Sequence, residues 1–174
     1  MMIFKIIIFF KAIFYALLSS YGHRFKSFKF TLKNNYPILI RGKGVINISE
    51  SCQIGVCNSP FYLNSYCYLE ARSNKSQITI NENVRINNSF TAITVNKSIL
   101  IDKNTLIGPE VMILGSNFHG LKANERSGIF SSEGSIAIAE NTFICARVII
   151  LHSVKISKNS VIPAGRVVRH KDKV

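Results

Sequence analysis

The chain has 174 residues, enough for one domain with a hydrophobic core, and its 22 Lys and Arg against 9 Asp and Glu give a formal net charge of +13. The excess lies at the two ends: eight basic residues and no acid precede Glu50, and four basic residues against one acid follow Gly165. Nucleic-acid binders usually carry a continuous basic stripe, so this distribution argues against nucleic acid as a partner. It favours separate anionic partners at the two ends, unless the basic ends merely aid solubility.

Residues 1–37 form an apolar and basic N-terminal segment that we predict to be helical. Met1 to Leu18 is nearly all apolar, but Lys5 and Lys11 interrupt the run. A central Lys costs roughly 2.5–3.5 kcal/mol on insertion scales, and a signal peptide keeps its apolar run clean, so neither spanning nor secretion is favoured. Basic and aromatic residues then mix from His23 to Phe30. Two interpretations stay open: peripheral contact with an anionic membrane, and a cap on the end of the domain.

A six-residue period dominates the rest of the chain, with five consecutive units between Ile138 and Val167. An aliphatic residue opens each unit, and a small or β-branched residue follows four places later, except at Arg166. A helix needs a period near 3.6 and a strand needs 2, whereas a short strand plus a turn, repeated, is typical of a parallel β-helix. Further units occupy 80–91 and 101–112. Weaker units open at Ile48, Ile54, Leu63 and Leu69.

Three such units close one triangular coil, so residues 38–168 are predicted to form an all-β solenoid domain. Its aliphatic residues should stack in an inward column, because each coil covers its faces only against a neighbouring coil. Residues 169–174 are left as a basic tail.

The strong repeat is interrupted by a polar loop rich in Gly and Ser, residues 115–136. A solenoid tolerates a loop at a corner, and such a loop can line a cleft beside rigid coils. His119 lies at the root of this loop and is therefore the candidate functional residue. The other three histidines, His23, His152 and His170, are expected at solvated positions.

The four cysteines form no CxxC pair and have no matching His ligands. We expect them to be reduced and structural, which suits a cytoplasmic protein, and we expect no metal requirement. They are Cys52, Cys57, Cys67 and Cys145.

Several motifs together resemble one known family. They are the six-residue repeats, the unit 107–111, the tripeptide Asn117-Phe118-His119, Arg126 and the C-terminal segment 161–168. These resemble the hexapeptide-repeat acyltransferases, above all the maltose/galactoside acetyltransferase-like group with its polysaccharide O-acetyltransferases, over roughly 78–172. The resemblance implies a left-handed parallel β-helix, a homotrimer with active sites between subunits, and acetyl transfer from acetyl-CoA to a hydroxyl or amine.

The resemblance also implies roles for individual residues. His119 matches the family's catalytic histidine. The residues implied in acceptor binding are Asn88, Asn117 and Arg126. The residues implied in contacts with coenzyme A are Phe143, Ala146, Ala164, Arg169 and Lys171. Asn117 stands where many relatives have Asp, so the group that orients His119 stays open.

Sugar hydroxyls are very weak acids, so their attack on a thioester needs a general base, and neutral His suits that role. The prediction is an acetyl-CoA-dependent O-acetyltransferase of a saccharide, either a bacterial surface polysaccharide or its precursor, located in the cytoplasm or at the inner face of the cytoplasmic membrane. Two alternatives stay open: N-acetylation of an amino-sugar nucleotide, and a non-catalytic solenoid scaffold.

Overall fold

The chain begins with helices and continues as short strands in this computed structural model, which describes residues 2–127, 132–170 and 172. Helix α1, Met2–Leu18, and helix α2, Arg24–Asn34, are joined through a 3-10 turn, Tyr21–His23. A second 3-10 turn, Ala123–Glu125, lies between the tenth and eleventh strands. The strands are β1 Ile38–Gly42, β2 Val45–Ile48, β3 Gln53–Ile54, β4 Cys67–Ala71, β5 Gln77–Ile80, β6 Arg85–Ile86, β7 Thr91–Thr94, β8 Ser98–Ile101, β9 Leu106–Ile107, β10 Met112–Leu114, β11 Ile136–Ile138, β12 Phe143–Ile144, β13 Ile149–Leu151, β14 Lys155–Ile156, β15 Val161–Ile162 and β16 Val167–Val168.

The strands form three parallel sheets, and each coil of the chain gives one strand to each sheet. Sheet A has the order β1-β4-β7-β10-β13-β16, sheet B has β14-β11-β8-β5-β2, and sheet C has β15-β12-β9-β6-β3. Every strand therefore pairs with the strand one coil away, which makes the three walls of a triangular prism. The predicted left-handed parallel β-helix with an N-terminal helical segment is confirmed.

The inward column predicted from the hexads is present. Ile107 pairs with Ile144, and Ile144 pairs with Ile162, in sheet C, and all three side chains are buried. Such stacking removes apolar area from water at about 25 cal/mol per Å². The weak unit predicted at Leu63 is wrong, because Leu63 is exposed and residues 55–66 form a loop between β3 and β4.

Asparagine recurs at the corner between sheets B and C for a backbone reason. Asn83, Asn104, Asn141 and Asn159 all have left-handed backbone angles, with φ between 55° and 62°. Asn tolerates that conformation better than other residues with a side chain. The same residues also pair in twos through their amides: Asn83 donates to Asn104 at 3.3 Å, and Asn141 donates to Asn159 at 2.8 Å.

Helix α1 packs against the first coil through one face and exposes the other. Ile8, Ala12 and Ala16, spaced four apart, are buried. Lys11 reaches across the first coil, because its Nζ donates to the carbonyl oxygens of Leu63 and Ser65, each at 3.0 Å. The cap predicted as one of two interpretations is therefore present. The outward face is apolar and consists of Ile6, Ile7, Phe10, Phe14 and Leu17.

Two further features of the N-terminal region differ from or add to the sequence analysis. The expectation that His23 is solvated is wrong: it is buried, its Nε2 donates to the Gly44 carbonyl at 3.1 Å, and burial lowers its pKa. In the part of the chain that the structure describes, no helix is both long enough and apolar enough to cross a membrane.

Candidate active site

The loop that carries His119 leaves the prism after β10 and returns before β11. Its root is closed by backbone contacts: Asn117 N–H donates to the Ser132 carbonyl at 3.0 Å, and Gly134 N–H donates to the Gly115 carbonyl at 3.1 Å. Ser116 and Glu133 form an antiparallel bridge beside them. The loop is thus attached to rigid coils at both ends, while residues 128–131 lie outside the described part.

His119 is exposed, and one backbone contact fixes its ring. Nδ1 lies 3.0 Å from the carbonyl oxygen of Arg126. A carbonyl oxygen only accepts, so in the neutral ring Nδ1 carries the proton and Nε2 carries the lone pair. This arrangement leaves Nε2 able to take a proton from a bound hydroxyl. No pattern in the sequence points to this partner, because any residue at position 126 supplies a carbonyl.

Phe118 connects the loop to strand β4. Its backbone is left-handed, with φ 63°, and its ring lies 5.1 Å from the Arg72 guanidinium. Arg72 Nε donates to Glu70 Oε1 at 2.8 Å, and Tyr68 donates to Glu70 Oε2 at 3.0 Å. A cation over an aromatic face is attractive. The residue before His119 is therefore held by side chains from the outer face of sheet A, a contact that the sequence analysis missed.

The three residues predicted to bind the acceptor lie in different settings. Asn117 is half-buried at the loop root, and the Arg126 side chain is exposed. Asn88 is fully buried, and its amide is occupied: Oδ1 accepts from Val56 N–H at 2.9 Å, and the two N–H groups of Nδ2 are shared among three carbonyl oxygens within 3.2 Å. Those carbonyls belong to Val56, Ser59 and Pro60. Asn88 thus holds the 55–66 loop, and we leave it out of the acceptor site.

A groove follows sheet C and its corner with sheet A, and it brings together two of the residues implied in coenzyme A contacts. Phe143, about two-fifths exposed, and the half-buried Ala146 both line this cavity of about 600 Å³. Gly108 lines it one coil earlier, and a Cβ there would lie 2.7 Å from Ala146 N, so only glycine fits. The exposed Ala164 lies one coil further on, since the N–H of its neighbour Gly165 donates to the Ala146 carbonyl at 2.9 Å.

Of the two basic tail residues implied in coenzyme A contacts, Arg169 lies in the described part of the chain. Arg169 is exposed, and its backbone N–H donates to Asp172 Oδ2 at 2.9 Å. Lys171 lies outside the described residues. All four cysteines are free thiols, with Cys52 and Cys67 buried, and no cluster of metal ligands occurs among the described residues.

Within one chain, His119 is not among the described residues that line the groove. Ala146 lies at the edge where the chain enters sheet A, level with Pro109, whose carbonyl accepts from Arg147 N–H at 2.9 Å. The loop of His119 leaves from the opposite edge, after Gly115. Strand β10 lies between the two edges, and its three residues alone span roughly 10 Å at about 3.3 Å per residue.

Comparison with solved structures finds three that are similar to this chain, and the first of them shares its fold. The polySia-specific acetyltransferase NeuO matches with a TM-score of 0.51 and 19% identity, over 74% of this chain and 54% of that one. A hexapeptide-repeat acetyltransferase of Vibrio cholerae O1 biovar eltor, complexed with acetyl coenzyme A, has a TM-score of 0.39 and 16% identity, over 93% of this chain and 76% of that one. A maltose O-acetyltransferase of Clostridium difficile 630 has a TM-score of 0.39 and 18% identity, over 84% and 64% respectively. No protein-family model and no curated protein matches the chain. The chain spans about half the length of NeuO, with which it shares the β-helix.

Proposed function

We propose that this β-helix protein is an acetyltransferase that moves an acetyl group from acetyl-CoA to a saccharide hydroxyl. The observation that carries the proposal is the ring of His119, which the Arg126 carbonyl holds with Nε2 unprotonated on an exposed loop beside rigid coils. The fold shared with the polySia-specific acetyltransferase NeuO and the motifs around 117–119 and 161–168 support it.

The reaction follows from the ring's protonation. His119 Nε2 takes the proton of the hydroxyl as the oxygen attacks the thioester carbonyl. The tetrahedral oxyanion that forms needs a hydrogen-bond donor. When the C–S bond breaks, the sulfur of coenzyme A leaves and receives the proton from the His119 imidazolium. The products are an acetyl ester and free coenzyme A, and His119 is neutral again.

The acetyl donor is proposed to lie in the groove along sheet C. Phe143, Ala146 and Ala164 offer apolar and small side chains to the pantetheine arm, while Arg169 and Lys171 offer positive charge to the phosphates. Ala164→Trp should block coenzyme A and leave the prism folded, because the side chain of Ala164 points to solvent. Calorimetric titration with coenzyme A tests this, and unchanged affinity would place the donor elsewhere.

The acceptor is proposed to be a bacterial surface polysaccharide or its precursor, with Asn117 and Arg126 near its reacting hydroxyl. Incubation with acetyl-CoA and a panel of cell-surface glycans, followed by mass spectrometry and NMR, locates the acetyl group. An ester on a hydroxyl supports O-acetylation. A product stable to mild base would be an amide and would favour an amino-sugar acceptor, and failure to bind coenzyme A would favour a scaffold.

A homotrimer is proposed because one subunit keeps His119 and the groove at opposite edges of sheet A. In a ring of three, the loop of one subunit can meet the groove of the next. The outer face of sheet A also carries an apolar row that an assembly could cover. It consists of Ile93, Met112, Leu114, Ile149, Leu151 and Val167. Sedimentation should give a trimer, and a stable active monomer would overturn both the assembly and the shared site.

Peripheral contact with the inner face of the cytoplasmic membrane is proposed for the outward face of α1. Arg24 and Arg41 flank its C-terminal end, where they donate to the carbonyls of Ser19 and Leu18. Each basic residue near an anionic leaflet contributes about 1 kcal/mol, and apolar insertion adds to that.

Point variants test this contact without removing the cap. Changing Phe10, Phe14 and Leu17 together to Ser keeps the buried face of α1 and should abolish binding to phosphatidylglycerol-containing vesicles. Wild-type binding should weaken with salt and be lost on pure phosphatidylcholine. A wild-type chain that ignores the anionic vesicles at low salt would leave α1 as a cap alone.

A further inference from the structure

A row of polar and aromatic side chains crosses the outer face of sheet A along strand β4. Tyr68 and Glu70 lie on β4 and alternate outward, and Arg72 follows directly after the strand and bonds to Glu70. The row spans roughly 13 Å, at about 3.3 Å per residue. At its end, the Arg72 guanidinium lies 5.1 Å from the ring of Phe118, the neighbour of His119. The row therefore leads across the sheet to the catalytic loop.

The opposite end of the row opens into a cavity of about 290 Å³, lined by Asn64, Ser65, Tyr66, Tyr68, Ser89 and Thr91. This volume lies just below the range of ligand pockets, which run from about 300 to 1,000 Å³. Tyr66 is fixed in the cavity wall, because its ring stacks on Tyr15 of α1 at 4.4 Å and meets Tyr68 edge-on at 6.4 Å. The N-terminal helix thus supports a wall of the cavity.

The polar groups around this cavity are suited to hydroxyl-rich ligands. Among the described residues, the side chains of Asn64, Tyr66, Ser89 and Thr91 have no hydrogen-bond partner, so they remain free to donate and accept. The row itself keeps a constant charge pattern near neutral pH. Burial and the bond to Glu70 raise the pKa of Tyr68 to about 12, and the bonds from Arg72 and Tyr68 outweigh burial and lower the pKa of Glu70.

We propose that the cavity and the row along β4 form a remote subsite that binds a saccharide chain and directs one end of it toward His119. Aromatic rings offer flat apolar faces to sugar rings, and the amide and hydroxyl groups offer hydrogen bonds to their edges. The subsite rests on the proposed transfer to a saccharide and adds that the acceptor is a chain of several sugars. A single sugar at His119 would not reach the cavity.

Binding of two oligosaccharide series to the full chain, without acetyl-CoA, tests the subsite. One series is neutral, from glucose to maltohexaose, and the other is acidic, from sialic acid to its hexamer. In at least one series the Kd should fall as rings are added. Tyr66→Ala should raise the Kd of the hexamer between about twofold and tenfold and leave the Kd of the single sugar unchanged.

Three variants separate loss of the ring from loss of the fold. Tyr66→Phe keeps the ring and should bind as wild type or nearly so. Tyr21→Ala removes a tyrosine that is 90% exposed and lies outside the row, so it should have no effect. Thr91→Trp fills the cavity from strand β7 without removing a packed side chain, so it should weaken the hexamer as Tyr66→Ala does.

Equal Kd values for all lengths in both series would overturn the subsite, as would wild-type binding of the hexamer by both Tyr66→Ala and Thr91→Trp. Failure of the proposed function would give a different experimental result from failure of the subsite. Absence of acetyl transfer to any glycan would remove that function while length-dependent binding remained. Transfer that depends on His119 without length-dependent binding would remove the subsite alone.

Discussion

The two loops that interrupt the β-helix are held in opposite ways. Loop 55–66 is fastened by side chains that reach it from the coils, above all by Asn88. Loop 115–135 is closed at its root by backbone bonds, and the ring of His119 bonds to the Arg126 carbonyl within the loop. Buried side-chain bonds make an insertion part of the core, whereas backbone closure at the surface leaves its side chains exposed. One insertion is therefore part of the scaffold, and the other leaves side chains such as that of His119 exposed.

Tyr36 also holds loop 55–66, in this case from within the core. It is fully buried, its hydroxyl lies 2.8 Å from Ser65 Oγ and accepts from Ser89 N–H at 2.9 Å, and its ring stacks on Tyr62 at 5.6 Å. Burial raises its pKa to about 12. The loop of His119 is instead joined to the prism through Arg72 and Phe118 at the surface. Variants in the two loops should therefore separate stability from activity.

The largest effect is expected for His119→Ala. Loss of the general base should lower the rate of acetyl transfer by about 10² to 10⁴. The free energy of unfolding and the affinity for coenzyme A should barely change, because the side chain is exposed. Steady-state kinetics and a denaturation curve on one preparation measure both, and near wild-type turnover would remove His119 from the mechanism.

Asn88→Ala should do the reverse. It leaves Val56 N–H and the carbonyls of the 55–66 loop without their buried partner, which should cost about 2 to 4 kcal/mol of unfolding free energy. Asn124→Ala, at an exposed position of the other loop, is the matched control and should change stability by less than about 0.5 kcal/mol. Equal stabilities of the two variants in urea would contradict the contrast between the loops.

Arg126→Ala tests whether the loop uses the side chain or the backbone of this residue. The carbonyl that orients His119 survives the change, so kcat should remain close to wild type. Loss of the exposed guanidinium should raise KM for an acidic acceptor by about two- to tenfold. A fall in kcat with unchanged KM would show instead that the side chain positions the histidine.

The smallest effect concerns the contact through which Glu70 and Arg72 join strand β4 to the loop of His119. Because the pKa of Glu70 is lowered in the folded protein, its contribution to stability is present above its ordinary value of 4.5 and is lost as the pH falls through the folded value. Glu70→Gln should therefore be less stable than wild type at neutral pH, by under about 1 kcal/mol given partial exposure. Denaturation curves of the two proteins should converge in acid, and a difference that persists there would have another origin.

The sequence predicted the repeating part of the fold well because the signal there is local. Each hexad carries its own inward residue and turn, so Ile144 and Ile162 could be placed in the core without knowledge of distant contacts. The weak unit at Leu63 failed for the opposite reason. Its neighbourhood is set by contacts far apart in the chain, such as the bond from Lys11 to the Leu63 carbonyl.

The site was predictable in residue type and less so in geometry. The break in the repeat located His119, because an interruption in a strict period is visible in the sequence alone. The partner of His119 is a main-chain oxygen, which leaves no mark on residue type. The packing of Phe118 on Arg72 joins positions 46 residues apart and was equally hidden.

The width of sheet A has a consequence that a genetic experiment can read. If His119 of one subunit serves the groove of the next, a chain carrying His119→Ala still offers an intact groove, and a chain carrying Ala164→Trp still offers an intact histidine. Each alone is inactive, but when the two are produced together in one cell, random assembly joins an intact histidine to an intact groove at about one quarter of the contacts. Two dead alleles would then complement each other, which one self-contained subunit could never do.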